Sequence, residues 1–345
     1  MDLSACDSWG GAPMNRRLDF IGAIEAAYDR TKSNDAWLRD LTAVIAPALG
    51  VGSATGAVTG FFFDLEGGAA RLGRTASVGD APTRAQFEKQ HRVGREQSGR
   101  PDRTVYDCDM YTLLSRVVGP AVATGSIRAA GMQGDDALGL RANMTPDSGV
   151  MMTTQVHRGY RIRQRELWIR FAAHVGAALR LRCLNAAPNP DSAVAVLSPR
   201  GRLEHGTRAT IVARDELQDA AKNMDRARGK MRRVDPEGAI VLWQTMVLGQ
   251  WSLVDWYEHD GKRFLLAQDN RVDTRSRPAR VGLTVRERQI VACAAMGHSN
   301  KLIGYDLGLS PGTVCVVLSR AARKLGVSSR LALIRAYREL AASDT

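Results

Sequence analysis

The sequence predicts a multidomain α+β protein that ends in an all-α unit of four helices. Its 345 residues exceed the roughly 100–200 typical of one domain. Polar, turn-forming stretches at 185–191 and 270–280 interrupt the apolar periodicity, and after the second the periodicity is helical only. We therefore expect a loose leader over 1–13, modules over 14–184 and 192–269, a linker over 270–282 and a C-terminal domain over 283–345. Met1 and Met14 both stay open as translation starts.

Composition narrows the class of protein. The 44% hydrophobic and 24% charged residues are ordinary for a folded chain. The five cysteines lie far apart and form no C-x-x-C pair, which argues against a disulfide framework or a zinc module. No apolar run has the roughly 18–20 residues of a membrane helix, and the N-terminus lacks a secretory pattern. We expect a cytoplasmic, nucleoid-associated protein without membrane contact.

The first module has a mixed pattern. An amphipathic helical pattern runs from Phe20 to about Pro47, and a long closing helix is predicted over 163–184. Between them lie short stretches typical of strands (56–65, 136–142 and 150–156) or of helices (84–92 and 110–118). This element order resembles an α+β sensor domain of the GAF type, which implies that a small-molecule ligand is a candidate partner. The seven arginines over 158–182 leave two interpretations of the closing helix, a solvated face or a signalling or dimer helix.

The second module is predicted to be smaller. A strand over 193–197 precedes helical patterns at 207–231 and 237–248, and a hairpin follows over 251–267. The pattern resembles the small PAS-like α+β modules found between sensor and output domains. Its basic cluster over 226–233 is either an auxiliary phosphate contact or a helix exterior.

The C-terminal segment contains successive helix caps. Thr284 and Glu287 form the pattern of a capping box. Ser299 and Ser310 are predicted to cap two further helices, separated by a turn at Gly308, and a fourth helix follows Ser329. A short helix, a tight glycine turn and a longer basic helix are the elements of a helix-turn-helix, whose second helix enters the DNA major groove.

Charge favours the same conclusion. The formal net charge is +12, and residues 271–345 hold 13 Lys and Arg against five Asp and Glu, a surplus of eight. Clustered cations of this kind neutralise a phosphate backbone.

Residues at fixed spacing over about 60 positions give a specific resemblance. They include Leu283-Thr284-x-Arg286-Glu287, Leu307-Gly308-Leu309-Ser310 and Lys324-Leu325-Gly326-Val327. The segment resembles the LuxR-type helix-turn-helix of bacterial transcription regulators. The resemblance implies contacts to phosphates or base edges and a dimer on DNA. The implied DNA-binding residues are Lys301, Thr313, Cys315, Val316, Ser319, Arg320, Arg323, Lys324 and Arg330, and the implied dimer residues are Leu331, Ile334 and Tyr337. For Arg323 and Arg330 a second interpretation stays open, as salt-bridge partners on the helix surface.

Four positions depart from that family's pattern, and the first is Leu302, where the family usually has Glu. Cys315 replaces the usual Lys and Val317 the usual His, which weakens phosphate contacts and alters base reading. Gly304 replaces Ala, and glycine inside a helix costs roughly 1 kcal/mol.

No motif predicts catalysis, a metal site or a cofactor. The main prediction is a DNA-binding transcription regulator, not an enzyme, that acts on double-stranded DNA as a homodimer, with RNA polymerase as a candidate partner. Alternatives are a sigma-factor-like promoter-recognition subunit, an enzyme with a DNA-binding tail, and a plain helical bundle that binds another protein.

Overall fold

The computed structural model describes residues 18–66, 69–106, 110–145, 147–183, 190, 193–243, 246–247, 250–258, 261–269, 283–327 and 329–343. The predicted leader, the alternative start at Met14 and the predicted linker at 270–282 lie outside the described residues.

The first module is built on a five-stranded antiparallel sheet in the order β2-β1-β5-β4-β3. Its strands are β1 (Val58–Glu66), β2 (Ala69–Val78), β3 (Tyr111–Leu113), β4 (Asp136–Thr145) and β5 (Ser148–Val156). Its helices are α1 (Phe20–Tyr28), α2 (Asn34–Leu49), α3 (Arg84–Ser98), α4 (Arg103–Tyr106), α5 (Leu114–Val118), α6 (Pro120–Ala129) and α7 (Arg165–Cys183). The prediction of a helix over 110–118 was wrong for Tyr111–Leu113, which pair with β4 as a strand.

Both faces of this sheet are covered. Side chains alternate along β4, so that Leu138 and Leu140 join the apolar core formed with α1, α2 and α7. Ala137 faces the opposite way, into a second core with Phe87 of α3 and Ile127 of α6. The sheet therefore separates two apolar layers.

Helix α7 is buried along most of its length. Every residue from Phe171 to Leu181 is buried, and a helix that is apolar nearly all round belongs in an interior. The interpretation of this helix as a solvated face was wrong. Arg182 donates to the carbonyls of Asp29 and Lys32, and Arg180 is buried.

The second module repeats the topology of the first. Its sheet has the order β7-β6-β10-β9-β8, so in both modules the strands, numbered from the first, run 2-1-5-4-3. No internal repeat is visible in the sequence, because backbone pairing and not residue identity is repeated. The elements are β6 (Ala195–Leu197), β7 (Leu203–Gly206), α8 (Arg208–Val212), α9 (Arg214–Arg226), a π-helical turn (Ala227–Met231), α10 (Arg232–Val234), α11 (Pro236–Leu242), β8 (Met246–Val247), β9 (Trp251–Tyr257) and β10 (Arg263–Asp269).

The basic cluster over 226–233 includes two arginines that join the first two modules. Arg228 donates from Nε to Glu25 of α1 at 2.8 Å and also pairs with Asp255 of β9. Arg232 donates from Nε to Asp19 at 2.8 Å and from Nη1 to Glu25 at 3.2 Å. Arg228 and Arg232 therefore connect the two modules, and the interpretation of the cluster as a phosphate contact stays a prediction.

The C-terminal domain consists of four helices around their own apolar core. They are α12 (Val285–Ala295), α13 (Asn300–Leu307), α14 (Pro311–Lys324) and α15 (Arg330–Ser343). The predicted helix starts after Thr284, Ser299 and Ser310 are confirmed. Within the described part of the chain, no single helix is both long and apolar enough to span a membrane.

Candidate nucleic-acid interface

The two central helices of the C-terminal domain form a bent pair. The chain bends by 103° between α13 and α14, within the range of helix-turn-helix units. Ser299 Oγ accepts from the amide of Leu302 at 3.2 Å, and Ser310 Oγ accepts from that of Thr313 at 3.0 Å. Gly308 lies in the left-handed region at φ 66°, which permits the sharp turn.

The first helix of the domain braces this pair. Both hydrogen bonds of the capping box form. The Thr284 amide donates to the Glu287 carboxylate at 2.7 Å, and the Glu287 amide donates to Thr284 Oγ1 at 3.2 Å. Glu287 also accepts from Lys324 Nζ at 2.7 Å, at the far end of α14. Burial raises the pKa of Glu287, but the hydrogen bonds from Lys324 and Thr284 outweigh it and hold the pKa below its ordinary value.

One face of α14 is open to solvent. Val314, Leu318 and Ala321 point into the domain core, and positions between them point outward because of the 3.6-residue period. The outward positions carry the base-reading candidates and one further cation, namely Cys315, Val316, Ser319, Arg320 and Arg323. Val316 is 55% exposed. An exposed face with two arginines and small side chains is suited to contact base edges and phosphates.

Two predicted phosphate ligands lie at helix N-termini. Lys301 is exposed in the first turn of α13, with its ammonium 5.7 Å from the ring centroid of Tyr305. Thr313 is exposed in the first turn of α14, and its hydroxyl lies 2.8 Å from that of Ser310. Helix N-termini attract anions through their free amide groups.

Two other candidates have partners inside the domain. Lys324 is paired with Glu287, as described above. Arg330 donates to the carbonyl of His298 and to Asn300 Oδ1, both at 2.6 Å. Arg330 therefore ties α15 to the start of α13.

The predicted dimer residues differ in exposure. Leu331 is 61% exposed and Ile334 is half-buried. Tyr337 packs against the core of its own domain, so Leu331 offers the largest free apolar surface of the three.

The structure explains the departure at Gly304. A Cβ at this position would lie against the backbone carbonyl of Leu309, far closer than van der Waals contact. The Leu309 amide also donates to the Gly304 carbonyl at 2.8 Å. Glycine at this position allows the turn at Leu309 to pack directly against α13. Helix propensity scales do not include this packing.

Sequence reasoning missed the contact between this domain and the first module. Arg180 of α7 is 2% exposed and donates from Nη1 to the Asp306 carbonyl at 2.7 Å and from Nη2 to the Tyr305 carbonyl at 3.1 Å. Free carbonyls at a helix C-terminus favour a cation. Burial lowers the pKa of Arg180 to about 10, which leaves it charged at neutral pH.

Apolar contacts surround this arginine. Tyr305 packs on Ala173 and Ala177 of α7, and Leu302 packs against the core shared by the first two modules. One sequence feature could have indicated this contact: an arginine lies within the apolar run Phe171–Leu181. A charged side chain buried in such a run needs a buried partner. Position in the sequence does not reveal that the partner lies over 120 residues away.

Among the described residues, no three or more His, Cys, Asp or Glu side chains lie together in a group that could hold a metal ion.

Comparison with known proteins agrees with this geometry. Residues 281–337 match the family model described as bacterial regulatory proteins, luxR family. The chain is also 40% identical over 70 residues to the transcriptional regulatory protein FixJ of Azorhizobium caulinodans, a match that covers 20% of this chain and 33% of that protein. The chain thus spans about a third of the length of the curated relative it matches. Residues 281–337 form a helix-turn-helix domain of the luxR family of bacterial regulatory proteins.

Proposed function

We propose that this protein is a transcription regulator that binds double-stranded DNA through α14. The observation that carries the proposal is the solvent-exposed face of α14, on which Arg320 and Arg323 stand beside Ser319, in a domain of the luxR family. Arg320 is assigned to a base edge, since a guanidinium matches the two acceptors of guanine. Cys315, Val316 and Ser319 complete the base-reading face.

Backbone contacts are assigned to the flanking residues. Lys301, Thr313 and Arg323 are free to approach phosphates in their present positions. Lys324 and Arg330 each have further donor hydrogens and are assigned as phosphate ligands that keep their partners within the domain. Each neutralised phosphate releases counterions, so binding should weaken steeply with salt.

Selection from random DNA duplexes tests this function with the full chain. We expect one sequence motif to be enriched and its affinity to fall linearly on a log–log plot against salt, by about 0.9 in slope per phosphate contact. Lack of enrichment would contradict sequence-specific binding. A flat salt response would contradict the assigned phosphate contacts.

The proposal includes a homodimer formed through α15. Leu331 supplies the exposed apolar surface, Ile334 extends it, and Tyr337 supports it from the domain core. Sedimentation of the full chain on its selected duplex should give two chains per duplex, and Leu331→Asp should reduce this to one. One bound wild-type chain would exclude the dimer.

We also propose that the first two modules, GAF-like and PAS-like, control the DNA-binding domain. Their shared strand order supports two related input modules. The buried Arg180 contact supports control through α7, because this helix touches the first sheet and α13. If the modules exert control, Arg180→Met should change DNA affinity of the full chain; unchanged affinity would contradict control by this route.

A further inference from the structure

Two adjacent cavities lie on the side of the first sheet opposite α7. The larger, of about 70 Å³, is bounded by β1, β4 and β5 on one side and by α3, α4 and α5 on the other. The smaller, of about 40 Å³, lies between α3 and residues of α4, α5 and α6. The two share the lining residues Gln90, His91, Val105 and Leu114. One water needs roughly 10–15 Å³ on this measure, so the larger cavity alone accommodates about five or six small groups.

The charged side chains that line these cavities already have partners. Arg141 of β4 donates to a neighbouring amide oxygen and has a further interaction inside the protein. Arg95 pairs with Asp102, and Arg100 donates to the Val117 carbonyl at 3.2 Å. Among the described lining residues, no ionised group is therefore left for a ligand of opposite charge.

Other polar groups in the larger cavity are also occupied. His91 Nδ1 donates to the Phe87 carbonyl at 2.8 Å, and its Nε2 lies 2.9 Å from the Tyr106 hydroxyl. Burial lowers the pKa of His91, so the ring is neutral. The Thr153 hydroxyl donates to the Leu138 carbonyl at 3.0 Å.

Gln90 of α3 differs from these groups. Its side chain lines both cavities, and the residue is only 8% exposed. Within the described part of the chain its carboxamide has no hydrogen-bond partner, although it carries two donor hydrogens and an acceptor oxygen. Buried polar groups are nearly always hydrogen-bonded, because desolvation without a partner costs free energy. A ligand group placed where the cavities meet would supply the missing hydrogen bonds.

We propose that these cavities bind a small uncharged amide with an apolar body, whose amide group pairs with the carboxamide of Gln90. Two amides are complementary, because each carries both a donor and an acceptor. The apolar body would lie against Phe61, Phe87 and Met151. The inference gives the first module a ligand class and in that respect rests on the proposed control of DNA binding, but the site itself does not.

Calorimetric titration of the full chain tests the site with propionamide, isobutyramide and benzamide. Their carboxylates are matched charged controls of nearly equal shape. We expect at least one amide to bind, and at least tenfold more tightly than its carboxylate, which would lose hydration without gaining a free cation. Equal affinity for amide and carboxylate would overturn the uncharged ligand. Absence of binding by all three amides would overturn the site and leave water as the partner of Gln90.

A variant of Gln90 tests the hydrogen bonds. Gln90→Leu should weaken amide binding at least tenfold, whereas Gln97→Leu, at an exposed position of the same helix, should leave it intact. Without ligand, Gln90→Leu should leave the thermal midpoint unchanged or raised, because it removes a buried polar group that lacks a partner. A marked fall in the midpoint would show that Gln90 serves the fold and would overturn its role in binding.

A second variant locates the ligand without altering Gln90. Ala137→Ile adds a β-branched side chain that suits β4 and fills the larger cavity from the sheet, so every amide should lose affinity. Unchanged affinity in this variant would overturn the location. DNA binding without ligand is measured independently, and its failure would contradict the proposed function and not the site.

Discussion

Arg180 and Asp306, 126 positions apart in sequence, join the first module to the DNA-binding domain through a buried hydrogen bond of 2.7 Å. The guanidinium also reaches the Tyr305 carbonyl, so one side chain holds the C-terminal end of α13. This contact fixes α13, the helix that precedes α14, against the first module.

Replacing Arg180 should release α13. Arg180→Met removes the donor to three carbonyls, two of them in α13, at a cost of about 1–3 kcal/mol per buried polar group. Hydrogen exchange within 300–307 should therefore accelerate by at least tenfold. Arg182→Met is the matched control, because Arg182 lies on the same helix but binds the 29–34 segment. Equal exchange in the two variants would show that Arg180 does not hold the domain.

Gly304→Ala should destabilise the C-terminal domain although alanine is the better helix former. Propensity favours alanine by about 1 kcal/mol, but its Cβ would collide with the Leu309 carbonyl, and overpacking against backbone costs typically 1–3 kcal/mol. Thermal unfolding of the domain measures the balance. Gly312→Ala, where a Cβ meets only Ser310 Oγ at 3.7 Å, should be neutral or stabilising. A more stable Gly304→Ala domain would contradict the close packing of the turn.

The Glu287–Lys324 pair should make the C-terminal domain sensitive to acid. The folded-state pKa of Glu287 lies below its ordinary 4.5, so the pair stabilises above that pH and its contribution is lost as pH falls through the lowered value. Glu287→Gln keeps the capping pattern but loses the charge, at a cost of about 1–3 kcal/mol at pH 7. Unfolding followed between pH 7 and pH 3 should show a shallower acid loss in the variant. Parallel curves would rule out this source of pH dependence.

His174 should destabilise the first module below pH 6.5. Burial, with a smaller contribution from Arg170, lowers its pKa to about 3, so the folded protein keeps it neutral while the unfolded chain protonates it. Stability is then complete above pH 6.5 and falls by about 1.4 kcal/mol per pH unit below it. Denaturant unfolding of His174→Gln should lack this loss over pH 6.5–4.5, whereas His157→Gln, at an exposed position, should retain it. Identical pH profiles for both variants would refute the assignment.

Arg320 and Arg323 should affect DNA binding differently. Arg320→Ala should reduce discrimination at one base pair by about 1–3 kcal/mol. Arg323→Ala should weaken all sequences alike and reduce the salt slope by about one contact. Anisotropy titrations against matched and single-mismatch duplexes separate the two effects, with Arg208→Ala as an exposed control in the second module. If Arg320→Ala changed only the salt slope, Arg320 would be a phosphate contact and its assignment to a base edge would be wrong.

The sequence by itself determined the C-terminal domain. Its caps at Thr284, Ser299 and Ser310 and its turn at Gly308 act within four residues, so their hydrogen bonds follow directly from local spacing. Local residue patterns also predicted most of the helices and strands that precede the C-terminal domain. The candidate positions on α14 came from the family resemblance, and the burial of Val314, Leu318 and Ala321 in the structure leaves them facing outward.

Only the tertiary structure shows which groups the charged side chains pair with. Arg180, Arg228 and Arg232 appear in the sequence as members of basic clusters, yet their partners at Asp306, Glu25 and Asp19 lie over 120 positions away. The repeated strand order of the two sheets is likewise invisible in the residues. Helix caps and hydrophobic periodicity arise from residues close together in the sequence. Long-range ion pairs depend instead on how whole helices and strands pack. Strand order is also hard to infer from the sequence, because many sequences satisfy the same backbone pairing.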